Sequence, residues 1–339
     1  MTAADGTRPA GGRTGRRTGG RTGRRKVLAG LRAVAYLLVL GFLGYQLWRV
    51  RHGVGESLRL VGWGNALLAG ALAAVGGVPG FLGWRMLLAG LGSRLPLPDA
   101  VRVFFLAGLT RYLPGGVWPA VAHAALARPL GEPPARLAGA FVASQGLAVV
   151  AGLAVGLVAL PRLVAADPIW WLLLPVLAAA LVPLAAPRLL GGLLGLAQRI
   201  LRRGERPPTL PGRRTLLAVT GVMAAGWLIS GAHVTVLAVA LGASPSGAVT
   251  VGVGGFALST MAGVLTLVMP SGLGVREAVL GLTVATLLTG PDLVTLVALS
   301  RVLITVGDAV STAAALGALA WTGRRRPRAS PLTNVPGPP

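Results

Sequence analysis

Apolar residues run through this chain in long blocks rather than in stripes. Leu, Ala, Val and Gly fill stretches near 27–48, 65–90, 137–160, 168–187, 215–242, 247–269, 275–290 and 294–321. None of them alternates with period two, and several approach the ~20 residues with which a helix crosses the hydrocarbon layer. Backbone in lipid must satisfy its own hydrogen bonds, so only a helical bundle or a closed barrel is open to such a chain. Blocks without alternation select the bundle. The pattern therefore predicts an all-α, polytopic membrane helical bundle. A further segment, 100–127, is apolar at both ends and broken in the middle by the string "RYLPGG".

Charge then sets the topology. The 339 residues are 54% hydrophobic and 12% charged, with a formal net charge of +23 and a mean hydropathy of +0.72. The cations gather at the ends of apolar blocks, as in membrane proteins that keep their Arg-rich loops inside, so no nucleic-acid partner is expected. Residues 1–26, where "RTGRR" occurs twice, read as a disordered basic cytoplasmic tail that touches anionic headgroups. The 188–214 loop and the 322–339 tail are also Arg-rich and are expected in the cytoplasm. They divide a membrane domain, 27–321, into two halves, 27–187 and 215–321. Both halves must then contain an even number of crossings. The first half offers five runs, so one of them turns back, and the broken 100–127 is the natural choice. The expectation is about eight spans plus one re-entrant segment. Arg in place of nearly all Lys, with much Ala and Gly, points to a bacterial cytoplasmic membrane.

Two strings interrupt the apolar pattern. In "RYLPGGVWPA", residues 111–120, Pro114 removes a backbone donor while Gly115 and Gly116 open geometries closed to other residues. Arg111 brings a permanent cation to that break, which is costly unless it meets an anion or water. An interfacial loop with a snorkelling Arg and Trp118 is the plainer alternative. In "MPSGLGVREAVLGL", residues 269–282, Pro270, Gly272 and Gly274 precede a new apolar helix. The free N–H groups of that helix start attract anions, and Arg276 adds a full charge. Glu277 suits the first turn and is placed to hold Arg276 or Arg111. Interrupted apolar segments in both halves of a membrane protein point to a translocation site.

Together, "RYLPGGVW" and "PSGLGVREAVL" resemble the transmembrane, flippase-like domain of the lysylphosphatidylglycerol synthases and their stand-alone relatives. The resemblance covers roughly residues 30–320. It implies a helical bundle that handles lipids. By motif match it carries a lipid-headgroup role to Arg111, Tyr112, Pro114 and Gly115, and to Gly272, Gly274, Arg276 and Glu277. The full-length synthases add a large cytosolic aminoacyl-transferase domain, for which this sequence has no counterpart. Lipid aminoacylation by this chain alone is therefore not expected.

The remaining polar residues are sparse. Asp308 lies seven residues after Arg301 on one helical face, a candidate for ion or proton coupling or for a charge pair with Arg301 or another helix. His123 and His233 read as packed, hydrogen-bonded histidines, with a ligand or relay role as the alternative. Gly76/Gly80, Gly152/Gly156 and Gly191/Gly195 have the spacing of close helix contacts. There is no cysteine and no H-E-x-x-H, G-x-S-x-G or Walker motif. No metal, cofactor or catalytic set is expected, and the chain reads as a protein that is not an enzyme. The sequence thus predicts a membrane protein that binds an anionic phospholipid or lipid-linked intermediate and flips it across the bilayer. The alternatives are a non-catalytic partner of a lipid-modifying glycosyl- or aminoacyl-transferase, and a membrane transferase. The arginine distribution makes the topology testable: reporter fusions after residues 26, 207 and 330 should score as cytoplasmic, and one near residue 55 as external. An external 188–214 loop would overturn the re-entrant assignment of 100–127.

Overall fold

In the computed structural model, the described residues are Gly41, 58–113, 116–172, 174–175, 211–265 and 272–324. Among them every regular element is a helix. In chain order these are α1 (Trp63–Val75), α2 (Val78–Gly90), α3 (Leu97–Gly108), a 3-10 turn (Leu109–Tyr112), α4 (Trp118–Ala127), α5 (Pro134–Gly156), α6 (Leu160–Ala166), α7 (Arg213–Ala240), α8 (Pro245–Leu265), α9 (Val275–Val284) and α10 (Gly290–Arg324). Among the described residues, five stretches are long and apolar enough to cross a membrane: Trp63–Gly90, Pro134–Ala166, Arg213–Ala240, Pro245–Val264 and Gly290–Trp321. The chain is an all-α, multi-pass membrane bundle. Of the other apolar runs, 27–48 apart from Gly41 and most of 168–187 lie outside the described residues, as do the tail 1–26 and nearly all of the loop 188–214.

α7 is the centre of the bundle. It has 28 residues, about 42 Å at the α-helical rise, and packs against α1, α2, α5, α8 and α10. Glycine lets it approach α8 backbone to backbone. A Cβ on Gly231 would lie 2.6 Å from Val253 Cα, and one on Gly252 would lie 2.7 Å from Thr235 N. Gly and Ala are weak or neutral in the hydrophobic effect, but lipid removes that effect between helices and leaves contact area as the attraction. Polar groups add to the seam. Thr235 Oγ1 donates to the Ala248 carbonyl at 3.1 Å, and Trp227 Nε1 donates to the Ala148 carbonyl on α5 at 2.9 Å. Gly152 and Gly156 of α5 press against Met261 and Leu258 of α8, as their spacing predicts.

Both interrupted strings form helical hairpins. α3 has 12 residues and α4 has 10, about 18 and 15 Å, each too short to cross a ~30 Å core. They fold back on one another: Ala100 at the start of α3 shares a core with Ala127 at the end of α4. At their base Ser93 Oγ donates to Glu132 Oε1 at 2.5 Å. His123 of α4 stacks on Phe141 of α5, with ring centroids 4.4 Å apart, and its Nδ1 donates to the Pro119 carbonyl at 2.8 Å. The run near 275–290 is built as α9, ten residues long, antiparallel to α8. Gly263 faces Gly272 so closely that a Cβ on Gly272 would lie 2.5 Å from Gly263 Cα, while Gly247 at the other end meets Leu287. Gly272 and Gly274 have φ of 65° and 87°, in the region that favours glycine, and start α9 late.

The α7–α8 seam makes a paired prediction. Gly231→Ala places a methyl against backbone that cannot rotate away, an overpacking worth ~1–3 kcal/mol. Gly221→Ala on the same helix has nothing within 4 Å of its added Cβ and should be neutral or stabilising. Thermal melts in detergent should show a lower midpoint for the first variant only.

Candidate functional site

The two hairpins bring their broken ends to the same side of α10. Between them lies a cavity of about 240 Å³ bounded by α1, α2, α3, α5, α7, α8, α9 and α10. Arg111 and Tyr112 from the first break, Arg276 from the second and Asp308 from α10 all line it. α10 is held in place by its crossing with α1. A Cβ on Gly307 would lie 3.0 Å from Ala74 N, and Ser311 Oγ donates to the Ala74 carbonyl at 2.7 Å. Asp308, the residue after Gly307, is thereby fixed at the cavity wall.

Its carboxylate binds the first break. Tyr112 Oη donates to Asp308 Oδ2 at 2.7 Å, and Arg111 Nη1 reaches the same oxygen at 3.5 Å. Arg111 Nε also donates to the Gly108 carbonyl at 2.9 Å, which aims the side chain back along α3. The second break is tied to α10 by the reverse polarity. Arg301 Nη1 lies 3.2 Å from Glu277 Oε1, and Glu277 Oε2 accepts from the Gly274 N–H at 2.6 Å. An acid at the third helical position commonly satisfies a free donor of its helix start.

Arg276 has no such carboxylate. It is 7% exposed, its guanidinium carbon stands 4.9 Å from the centre of the Phe256 ring, and its Nη2 is buried with no hydrogen-bond partner among the described residues. Asp308 is engaged by Arg111 and Tyr112, and Glu277 by Arg301. Among the described residues here, three arginines thus meet two carboxylates, leaving one positive charge over. A buried charged donor without a partner is destabilising by more than the ~1–3 kcal/mol of a neutral one.

Arg111, Tyr112, Arg276 and Asp308 are therefore neighbours of a single cavity. Gly272, Gly274 and Glu277 shape its edge by starting α9. Pro114 and Gly115, and Pro270 before the second helix, lie outside the described residues. One pairing is an alternative that the sequence left open, and the other is one it did not offer. Asp308 joins Arg111 and Tyr112 rather than Arg301, and Glu277 joins Arg301. Successive helical residues point ~100° apart, so Glu277 turns to α10 while Arg276 turns to Phe256 and the cavity. Phe256, Thr260 and Thr312 also line the cavity, and nothing in their local sequence singles them out. His233 is a packed histidine. Its Nδ1 donates to the Ser230 carbonyl and its Nε2 accepts from Ser300 Oγ at 2.9 Å. Among the described residues no three His, Asp or Glu side chains gather as a metal site requires.

No family model matches the chain. Among curated proteins, heme A synthase of Sphingopyxis alaskensis is 36% identical over 111 residues. That stretch is 33% of this chain and spans 28% of the length of heme A synthase, so the likeness is partial on both sides. The matched protein is an enzyme, and this corrects the expectation, drawn from the missing catalytic motifs, of a chain that is not one. Motif searches recognise only chemistry that uses the motifs searched for, and a membrane enzyme need contain none of them.

Proposed function

We propose that this chain takes the anionic headgroup of a membrane phospholipid, or of a lipid-linked intermediate, into the cavity between its two hairpins and carries it across the bilayer. Arg276 carries the argument: it is buried, faces the cavity, and among the described residues has no carboxylate of its own, as Arg111 and Arg301 each have. A phosphate supplies the missing charge and accepts from Nη2. Arg111, with half of its side chain exposed and only a 3.5 Å contact to Asp308, is free to turn to the same phosphate. The strings "RYLPGGVW" and "PSGLGVREAVL" support kinship with the transmembrane domain of the lysylphosphatidylglycerol synthases. By the Arg-rich tails and loop, we place the protein in a bacterial cytoplasmic membrane with both termini inside.

A second reading has its own support in the likeness to heme A synthase. In it the same cavity holds a membrane-soluble substrate for chemistry, and Tyr112 with Asp308 forms the one acid–base pair on its wall. Turnover of lipid extract by purified protein, read by mass spectrometry, would favour this reading; scrambling without a new product would favour transport.

The charge of Arg276 gives the deciding variants. In vesicles with a fluorescent anionic lipid, Arg276→Gln should reduce lipid movement by about tenfold or more, equivalent to losing ~1.4 kcal/mol or more of headgroup binding. Arg276→Lys should retain part of it, because it keeps the charge and loses the fork. Thermal midpoints of both variants should stay within ~4 °C of the parent, since the side chain leaves no carboxylate unpaired. A large loss of stability in step with activity would assign Arg276 to packing instead.

A further inference from the structure

Part of the cavity wall is an apolar furrow between the α1–α2 turn, α3 and α7, lined by Gly76, Gly77, Gly80, Phe104, Phe105 and Met223. Helix packing explains one of these glycines and leaves two unexplained. A Cβ on Gly76 would collide with the side chain of Ser230, so glycine is required there. A Cβ on Gly80 would meet only Phe104 Cζ at 3.7 Å, and one on Gly77 only the Ala74 carbonyl oxygen at 3.9 Å, both ordinary contacts. Neither has a positive φ. At Gly80, inside α2, alanine would also make the better helix. What the two missing side chains leave is open space in the furrow.

The outlet of that space has a definite depth. Gly77 is exposed, and its neighbours Val75 and Val78 are 52% and 42% exposed on the outside of the bundle. It sits midway along the apolar stretch Trp63–Gly90, where the surroundings of a membrane helix are hydrocarbon and contain no water. Whatever fills the cavity and leaves by this route must be apolar at Gly77. It must also be anionic at Arg276, the buried cation without a partner for its Nη2 among the described residues.

We propose that the furrow holds the upper part of one acyl chain of the lipid whose headgroup is taken at Arg276. The ligand class is then an amphipathic anion gripped by head and chain together, with Gly77 and Gly80 setting the chain's thickness. The inference rests on the headgroup reading above and extends it: the tail enters the protein, where a headgroup-only groove leaves it in the bilayer. Apolar contact between chain and Phe104 and Phe105 adds to the affinity of the head.

The test uses the full chain in nanodiscs of dioleoylphosphatidylcholine containing phosphatidylglycerol with a diazirine on one acyl chain. Photolabelling should fall on the α1–α2 turn and on α3 near Phe104 and Phe105. Binding of glycerol 1-phosphate to the detergent-solubilised protein reports the headgroup contact alone. Gly80→Leu should lower furrow labelling about tenfold while leaving glycerol phosphate affinity within about twofold, and Arg276→Gln should lower both. Gly77→Leu, at an exposed turn, gives the same reading should Gly80→Leu fail to fold. Undiminished labelling in a folded furrow variant would overturn the acyl-chain site while leaving the headgroup reading standing. Equal labelling by a phosphatidylcholine probe would overturn it too. Wild-type protein that binds neither glycerol phosphate nor phosphatidylglycerol would sink the headgroup reading itself.

Discussion

An arginine inside a lipid-facing bundle must bring its own counter-charge, because hydrocarbon supplies none and snorkelling is closed to a side chain that points inward. α10 meets this demand for Arg111 with Asp308, while its own Arg301 is met by Glu277 of α9. It carries Asp308 and Arg301 two turns apart, and each binds the opposite charge on a different hairpin, Arg111 with Tyr112 on one and Glu277 on the other. One helix thus fixes both breaks at once. Because each pair joins a short, interrupted element to a long, continuous one, the irregular backbone is held by the regular backbone. The geometry of the cavity follows from that arrangement, as does the isolation of Arg276.

The second constraint is close approach. α8 is glycine-rich on several faces: Gly252 lies on α7, Gly254 on the turn after α5, Gly255 and Gly263 on α9 and the chain leading into it. Such contacts bring backbones together where lipid contributes no hydrophobic drive between helices. They also explain how a cavity survives in a bundle this tight. Space is surrendered at the seams by glycines that have close neighbours and kept at Gly77 and Gly80, which have none. The cavity wall is therefore amphipathic, combining the guanidinium groups of Arg111 and Arg276 with phenyl rings and bare helix. A phospholipid has the same two ends, and the enzymatic alternative raised by the likeness to heme A synthase must place its substrate on the same surface.

The apolar blocks, by themselves, determined that this is a multi-pass helical membrane protein, since their length and lack of alternation leave hydrocarbon-spanning helices as the sole way to satisfy the backbone. The Pro and Gly clusters at 114–116 and 270–274 marked where helices break, because those residues act on their own backbone and need no distant partner. Arg111, Tyr112, Arg276 and Asp308 stood out for a similar reason, being polar where neighbours are apolar or lying within a marked string. Which charges pair was not legible. Arg301 and Asp308 share a helical face, yet the crossing of α10 with α1 and the fold-back of α3 on α4 give Asp308 to Arg111 and leave Arg301 to Glu277. Phe256 beneath Arg276 and the furrow at Gly77 and Gly80 were invisible for the same cause. A contact between residues far apart in sequence depends on the angles and offsets of packed helices, and those are set by the whole core rather than by any local string.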